Sequence, residues 1–159
     1  MKKNIQELSP MEILALAIHI EKENQKAFIS FSEMFEGYDE DVVLKFKELS
    51  KEESLHEAVL SKKFTDLFGD AKIPEITEFD VEEVVEAFDI DDSEHLIFDS
   101  LKSKKIYQLA LAAEKRAFQF YLNASQKVKN SELSKLFKEL SELENSHSNW
   151  IEEKLKQIL

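Results

Sequence analysis

The sequence predicts an all-α protein: a four-helix bundle in which two antiparallel helix hairpins are joined by a long crossover containing a short helix. Only two glycines and two prolines occur among 159 residues, so the chain has few turns. Apolar residues recur at alternating spacings of three and four, the period of a helix face that packs into a bundle core. A hydrophobic content of 43% suffices for one core, so residues 1–159 are expected to form a single domain.

The first helix is expected to start at Ser9 and to end near Gly37. Ser9 can act as the N-cap, with Pro10 at the first helical position and Glu12 at the third. This order of residues is typical of a capping box, in which two side chains satisfy free backbone N–H groups at the helix start.

The second helix is expected to run from about Glu40 to Phe68. Asp39 precedes it and can accept a hydrogen bond from the first turn, and Gly69 can terminate it. With the first helix, it forms the first predicted hairpin, at about residues 9–68.

A crossover is expected between Gly69 and roughly Ser93, because this stretch contains Pro74 and many acidic residues. Residues 81–88, VEEVVEAF, form one short amphipathic pattern within it. The second hairpin, at about residues 93–159, then has a third helix to about residue 127, a break at KNSE, and a fourth helix capped by Ser131.

The two predicted hairpins contain the same short sequence motif. FKELSKEESLH, at residues 46–56, recurs as FKELSELENSH, at residues 137–147. The pairs that recur in frame are Glu53 with His56 and Glu144 with His147. On each apolar stripe these residues take positions that the pattern otherwise gives to leucine or phenylalanine. Residues three apart share a helix face, so each Glu-x-x-His pair is predicted to point into the core.

The partner helices repeat as well. AIHIEKENQKAF, around Glu21, aligns with ALAAEKRAFQFY, around Glu114, and an aromatic residue follows each glutamate by seven positions, Phe28 in one and Tyr121 in the other. An internal duplication packed about a pseudo-two-fold axis would bring these two glutamates to the level of the two Glu-x-x-His pairs.

Four buried carboxylates without a lysine or arginine on the same stripes require compensation. A dinuclear site of divalent ions supplies it, and carboxylate and imidazole ligands favour iron or manganese, with zinc also allowed. Asn24 and Tyr107 lie on the same stripes, where hydrogen bonding to ligands and plain packing are equally expected. Glu52 and Glu57 are expected to be solvated, although Glu57 would approach the site if the second helix rotated.

At these residues the chain resembles the ferritin-like superfamily, closest to its rubrerythrin-like and bacterioferritin-like diiron proteins. The resemblance implies a ferritin-like four-helix bundle with Glu53 and Glu144 as bridging carboxylates. The metal ligands that it implies are Glu21, Glu53, His56, Glu114, Glu144 and His147. Tyr121 matches the aromatic residue near the metals in such proteins and is the tentative catalytic residue, whereas Phe28 lacks the hydroxyl.

The resemblance implies a non-haem diiron oxidoreductase that reacts with hydrogen peroxide or dioxygen in defence against oxidative stress. It also implies two iron ions, with manganese or zinc possible, and a homodimer or larger homo-oligomer. The chain has no cysteine, which excludes an iron–sulfur cluster and a rubredoxin module, so an external electron donor protein is expected. The alternatives are a ferroxidase that stores iron in a multimeric cage and a non-catalytic helical bundle.

Two departures from the family pattern bear on function. Rubrerythrin-like sites commonly have a further glutamate three residues after the third-helix ligand, and this chain has Ala117 there, which weakens the peroxidase assignment. The haem-ligating methionine of bacterioferritin normally lies between the second-helix glutamate and histidine, where this chain has Ser54 and Leu55. We therefore expect no haem.

Composition limits the partners. A net charge of -12 opposes binding to nucleic acid and to anionic membrane surfaces. No stretch approaches the roughly 20 apolar residues of a membrane span, and the start MKKNIQELSPME lacks the apolar run of a signal peptide. A cytoplasmic location is the expectation.

Overall fold

A computed structural model of the protein describes residues 3–77 and 100–158. Within these ranges the chain forms four long helices: α1 (Pro10–Met34), α2 (Glu40–Phe68), α3 (Ser100–Lys127) and α4 (Ser131–Ile158). The main helix contacts join α1 to α2 and α3 to α4, so the bundle consists of two hairpins. The predicted all-α four-helix bundle is confirmed. The predicted short helix at residues 81–88 and the predicted start of the third helix near Ser93 lie outside the described residues.

The start of α1 follows the local sequence. The backbone N–H of Glu12 donates to Ser9 Oγ at 3.1 Å, and the backbone N–H of Ser9 donates to Glu12 Oε1 at 3.1 Å. This confirms the capping box. The helix ends at Met34, slightly before the predicted end near Gly37, because the chain already turns before Gly37, which has a φ of 78°.

Both predicted ends of α2 are confirmed. The backbone N–H of Val42 donates to Asp39 Oδ1 at 3.3 Å, which satisfies one of the free donors of the first turn. Gly69 ends the helix with a φ of 63°, a conformation that costs glycine little.

The start of α4 corrects one expectation. Ser131 is the first helical residue and not the cap. The cap is Asn130, whose Oδ1 accepts a hydrogen bond from the backbone N–H of Leu133 at 3.0 Å. Asparagine and serine are about equally good N-caps. Residue type therefore does not decide between Asn130 and Ser131, and the residue at which the helix begins does.

The core divides into two apolar clusters along the bundle. The first contains the N-terminal half of α1 with Phe64, Tyr121 and Phe137, and the second contains Phe28 and Phe46 with their neighbours. On every helix the predicted metal-ligating side chains fall between these clusters in sequence. The polar layer therefore has an apolar cluster on either side, which limits the access of water.

Among the described residues, no helix is both long enough and apolar enough to cross a bilayer.

Candidate metal centre

The structure brings the six predicted ligand side chains together in the middle of the bundle. They form two overlapping groups in which the possible ligand atoms lie within 4.8 Å of one another. The first group contains Glu21, Glu53, His56 and Glu144, and the second contains Glu53, Glu114, Glu144 and His147. Glu53 and Glu144 belong to both groups, which is the arrangement that two bridging carboxylates require. Metal ligation by these residues stays a prediction, and their convergence is a structural fact.

The two histidines occupy equivalent places in the two halves of the cluster. His56 Nδ1 lies 3.2 Å from Glu144 Oε1 and 3.6 Å from Glu21 Oε2. His147 Nδ1 lies 3.1 Å from Glu53 Oε1 and 3.5 Å from Glu114 Oε2. The imidazole rings are nearly parallel, at an interplanar angle of 9° with centroids 6.2 Å apart. This geometry agrees with the pseudo-two-fold axis inferred from the sequence repeat.

The buried polar atoms of the cluster fit a pair of metal ions. The four glutamates are 0% exposed, yet several of their oxygens accept no hydrogen bond. Some of the close contacts lack hydrogen-bond geometry, that between His147 Nδ1 and Glu53 Oε1 among them. The cluster atoms that form no hydrogen bond are Glu21 Oε2, Glu53 Oε1 and Oε2, Glu114 Oε1 and Oε2, Glu144 Oε2 and His147 Nδ1. Unpaired buried acceptors are costly, whereas divalent cations would occupy these lone pairs directly. The buried Glu and His groups therefore fit a dimetal site.

Burial controls the protonation of the carboxylates in the metal-free cluster. Burial, reinforced by the negative charge of Glu144, raises the pKa values of Glu53 and Glu114 well above their usual value, and that of Glu21 also rises. Burial opposes ionisation of Glu144 too, but its contacts with Glu114 and the two histidines outweigh this effect, so the pKa of Glu144 falls. Glu144 is therefore the carboxylate of the metal-free cluster that ionises most readily.

The histidines compensate that charge. Burial alone would lower their pKa values, but contacts with the carboxylates raise the pKa of His56 to about 9 and that of His147 to about 11. Metal ligation requires neutral imidazole and ionised carboxylate, so metal ions must displace these protons.

The stability of the metal-free protein is expected to fall as pH rises from about 6.5 to about 11. The folded protein holds protons on His56 and His147 that the unfolded chain releases above pH 6.5, so their stabilisation is lost as pH rises through the folded pKa values. The raised glutamate pKa values act in the same direction. Metal binding should instead strengthen with pH. The midpoint of thermal unfolding, measured with and without metal across this pH range, tests both trends. High salt screens the surface charges. A metal-free midpoint that rises with pH would contradict the predicted loss of stability.

Tyr121 contacts the cluster directly. It is fully buried, and its hydroxyl donates a hydrogen bond to Glu21 Oε1 at 2.5 Å. Burial, with the charge of Glu21, raises the tyrosine pKa well above its usual value, so the hydroxyl keeps its proton. It therefore orients Glu21, whose Oε2 faces His56. Phe28, at the corresponding place of the other hairpin, packs in an aromatic cluster and forms no such bond.

Glu52 has a role that the sequence pattern missed. It was expected to be solvated, but its Oε2 lies 2.8 Å from Nε2 of His147, on the side of the ring away from the cluster. The repeat places Leu143 at the corresponding position in the other hairpin, so His56 has no matching carboxylate. Glu57, in contrast, accepts a hydrogen bond from Gln25 Nε2 at 2.7 Å and stays outside both groups.

Glu52→Ala is expected to weaken metal binding at the half of the centre that contains His147, by about 10- to 100-fold. A carboxylate against the outer nitrogen of a ligand imidazole fixes the ring and increases its basicity. Competition with a chromophoric chelator measures the affinity. Glu48→Ala is the matched control, because Glu48 lies one turn away on the same helix and pairs with Lys45. Equal affinities in the two variants would mean that the Glu52 contact is incidental.

Tyr107 lies away from the six side chains. Its ring packs 5.3 Å from that of Phe35 and 6.1 Å from that of Phe46, in the second apolar cluster. Packing is therefore its role. Asn24 remains beside the cluster, one helical turn from Glu21 and 6% exposed.

Comparisons with known proteins agree with the four-helix fold. A protein-family model described as Rubrerythrin matches residues 12–155. A hypothetical protein from Pyrococcus furiosus has a similar structure, with a TM-score of 0.81 at 22% identity, over 97% of this chain and 92% of that chain. An uncharacterized conserved protein from Magnetospirillum magnetotacticum superposes with a TM-score of 0.74 at 15% identity, over 94% of this chain and 95% of that chain. No curated protein matches.

Proposed function

Because this chain belongs to the rubrerythrin family, we propose that the cluster holds two iron ions and that the protein reduces hydrogen peroxide with them. One observation carries the proposal: two buried Glu and His groups share Glu53 and Glu144, as a bridged metal pair requires. When bound, two Fe(II) ions supply two electrons that, with two protons, convert one hydrogen peroxide into two water molecules and leave two Fe(III). An external electron-donor protein returns the electrons.

The side chains of this protein would position the metal ions, balance their charge and exclude water from them. Glu21 and His56 would hold one ion, Glu114 and His147 the other, and Glu53 and Glu144 both. The tyrosine hydroxyl that donates to Glu21 keeps that carboxylate oriented, and the two apolar clusters keep bulk water from the polar layer.

The experiment that tests this proposal is an anaerobic Fe(II) titration of the metal-free protein, followed by hydrogen peroxide and, separately, by dioxygen. Stopped-flow absorption of the oxidised iron pair gives the rate for each oxidant. We expect about two irons per chain and faster oxidation by peroxide than by dioxygen. Faster oxidation by dioxygen, with many irons taken up per chain, would contradict peroxide reduction.

A second candidate, Fe(II) oxidation for storage in a multimeric cage, is favoured by one observation. Ala117 is 1% exposed and brings no carboxylate, so the further glutamate of rubrerythrin-like sites has no counterpart at this position. The mass of the assembled particle separates the candidates. We expect a homodimer or small homo-oligomer, whereas a cage is a large multimer.

A further inference from the structure

The side chain of Asn24 carries a buried donor that the six predicted ligands leave unused. Among the described residues, the buried side-chain atoms without a hydrogen-bond partner all belong to those six residues, with Asn24 Nδ2 as the one exception. Asn24 is 6% exposed, so water gives its amide little compensation. A buried donor without an acceptor is costly, and such a group in a native protein calls for an explanation.

The packing of α1 against α3 defines the position of Asn24. The two helices run antiparallel, since Glu21 contacts Tyr121 and Phe35 contacts Tyr107, over the same number of residues on each helix. Interpolation between these contacts places Asn24 opposite Phe118, the residue that follows Ala117. This level lies one turn from Glu21, within the polar layer between the two apolar clusters.

The sequence repeat relates Asn24 to Ala117. Asn24 follows Glu21 by three residues, just as Ala117 follows Glu114, so the two positions correspond in the two hairpins. Ala117 brings no carboxylate or hydrogen-bond donor to its position. Asn24 is therefore the member of this pair that carries a neutral donor.

The carboxylates of the cluster do not supply the missing acceptor. The Asn24 amide donates to none of their oxygens. Two bound metal ions would take up the same carboxylate lone pairs and leave the amide still without a partner. A small acceptor that enters from outside the protein would satisfy this buried donor.

We propose that Asn24 Nδ2 donates a hydrogen bond to the hydrogen peroxide that enters the centre. The inference rests on the proposed function, because it assumes a loaded metal pair and a peroxide substrate. Peroxide oxygens are good hydrogen-bond acceptors and those of dioxygen are poor ones. Asn24 thus favours peroxide over dioxygen and is a substrate-contacting residue separate from the ligand set.

Azide is the probe for this subsite, since it is a small anionic acceptor that binds oxidised iron pairs. The comparison uses the wild-type, Asn24→Leu and Asn24→Ala proteins, each loaded with iron and oxidised. The matched control is Gln25→Leu, which removes an amide from the adjacent residue of the same helix, where it donates to Glu57. The dissociation constant for azide comes from spectrophotometric titration.

We expect the azide dissociation constant to rise about tenfold or more in both Asn24 variants and to stay unchanged in Gln25→Leu. The peroxide rate constant should fall by a similar factor, with a smaller change for dioxygen. The metal-free Asn24→Leu protein should unfold at the same temperature as wild type or higher, because it loses a buried donor without a partner. A purely structural asparagine would give the opposite stability result.

The inference is overturned if the Asn24 variants load iron and bind azide as tightly as wild type. It is also overturned if the metal-free variants are destabilised while azide affinity is unchanged. Failure of the wild-type protein to bind iron at all would instead refute the proposed function, so the two failures are distinguishable. The alanine variant keeps the test valid if leucine prevents iron loading.

Discussion

Glu53→Ala is expected to reduce the metal content of the protein from about two ions per chain to one or none. Glu53 belongs to both groups of possible ligands, so its loss removes an oxygen donor from each half of the centre. It is also 0% exposed, so bulk water does not readily take its place. Metal per chain is measured by elemental analysis after anaerobic loading and removal of unbound ions.

Glu57→Ala is the matched control for this change. Glu57 is a glutamate on the same helix, one residue after His56, but it contacts Gln25 and belongs to neither group. We expect the control to load about two ions per chain, as wild type does. Unchanged occupancy in Glu53→Ala would refute the predicted ligand set. Near-zero occupancy in wild type as well would support the non-catalytic bundle.

Metal loading is expected to raise the midpoint of thermal unfolding of the protein by about 10 °C or more. Each ion present at a hundredfold excess over its dissociation constant adds about 2.7 kcal/mol, because it binds the folded chain only. A domain of this size gains about 2–4 °C per kcal/mol. The unpartnered oxygens of Glu53 and Glu114 are the physical source, since metal ions would satisfy acceptors that are otherwise buried without partners.

Differential scanning calorimetry of the metal-free and loaded proteins at neutral pH measures this shift. The Glu53→Ala variant is the control, because with one ion or none its midpoint should rise by at most about half as much. A shift of the same size in that variant would locate the stabilising ions elsewhere on this acidic chain.

The sequence was sufficient for features that depend on local signals. The capping box at Ser9, the cap at Asp39 and the terminator Gly69 each involve residues within one turn, and all three are confirmed. The cap of α4 was predicted one residue late, because Asn130 and Ser131 are both good caps and the choice depends on how the chain leaves α3.

Convergence of the six side chains was also predictable, for a different reason. The in-frame repeat of Glu53-x-x-His56 as Glu144-x-x-His147 put polar residues on core stripes in both hairpins, and helix packing can bring equivalent stripes to only a few relative positions. The finding that all six share one layer therefore followed from periodicity and duplication together.

The contacts that sequence reasoning missed depend on distances between helices. Glu52 lies beside the core stripe of α2 and reaches His147 only because α4 passes next to it. The unpartnered amide of Asn24 likewise depends on which α3 residue lies opposite. Periodicity assigns a residue to a face, but the register between helices comes from side-chain packing along their whole length.

The central claim is that two metal ions lie among these six side chains, and anomalous diffraction from crystals of the iron-loaded protein tests it most directly. We predict two peaks per chain, about 3.5–4 Å apart, with Glu53 and Glu144 between them. Each peak should have one imidazole nitrogen, from His56 or from His147, as a ligand. No anomalous peak within the cluster, or a peak held only by surface carboxylates, would contradict the claim.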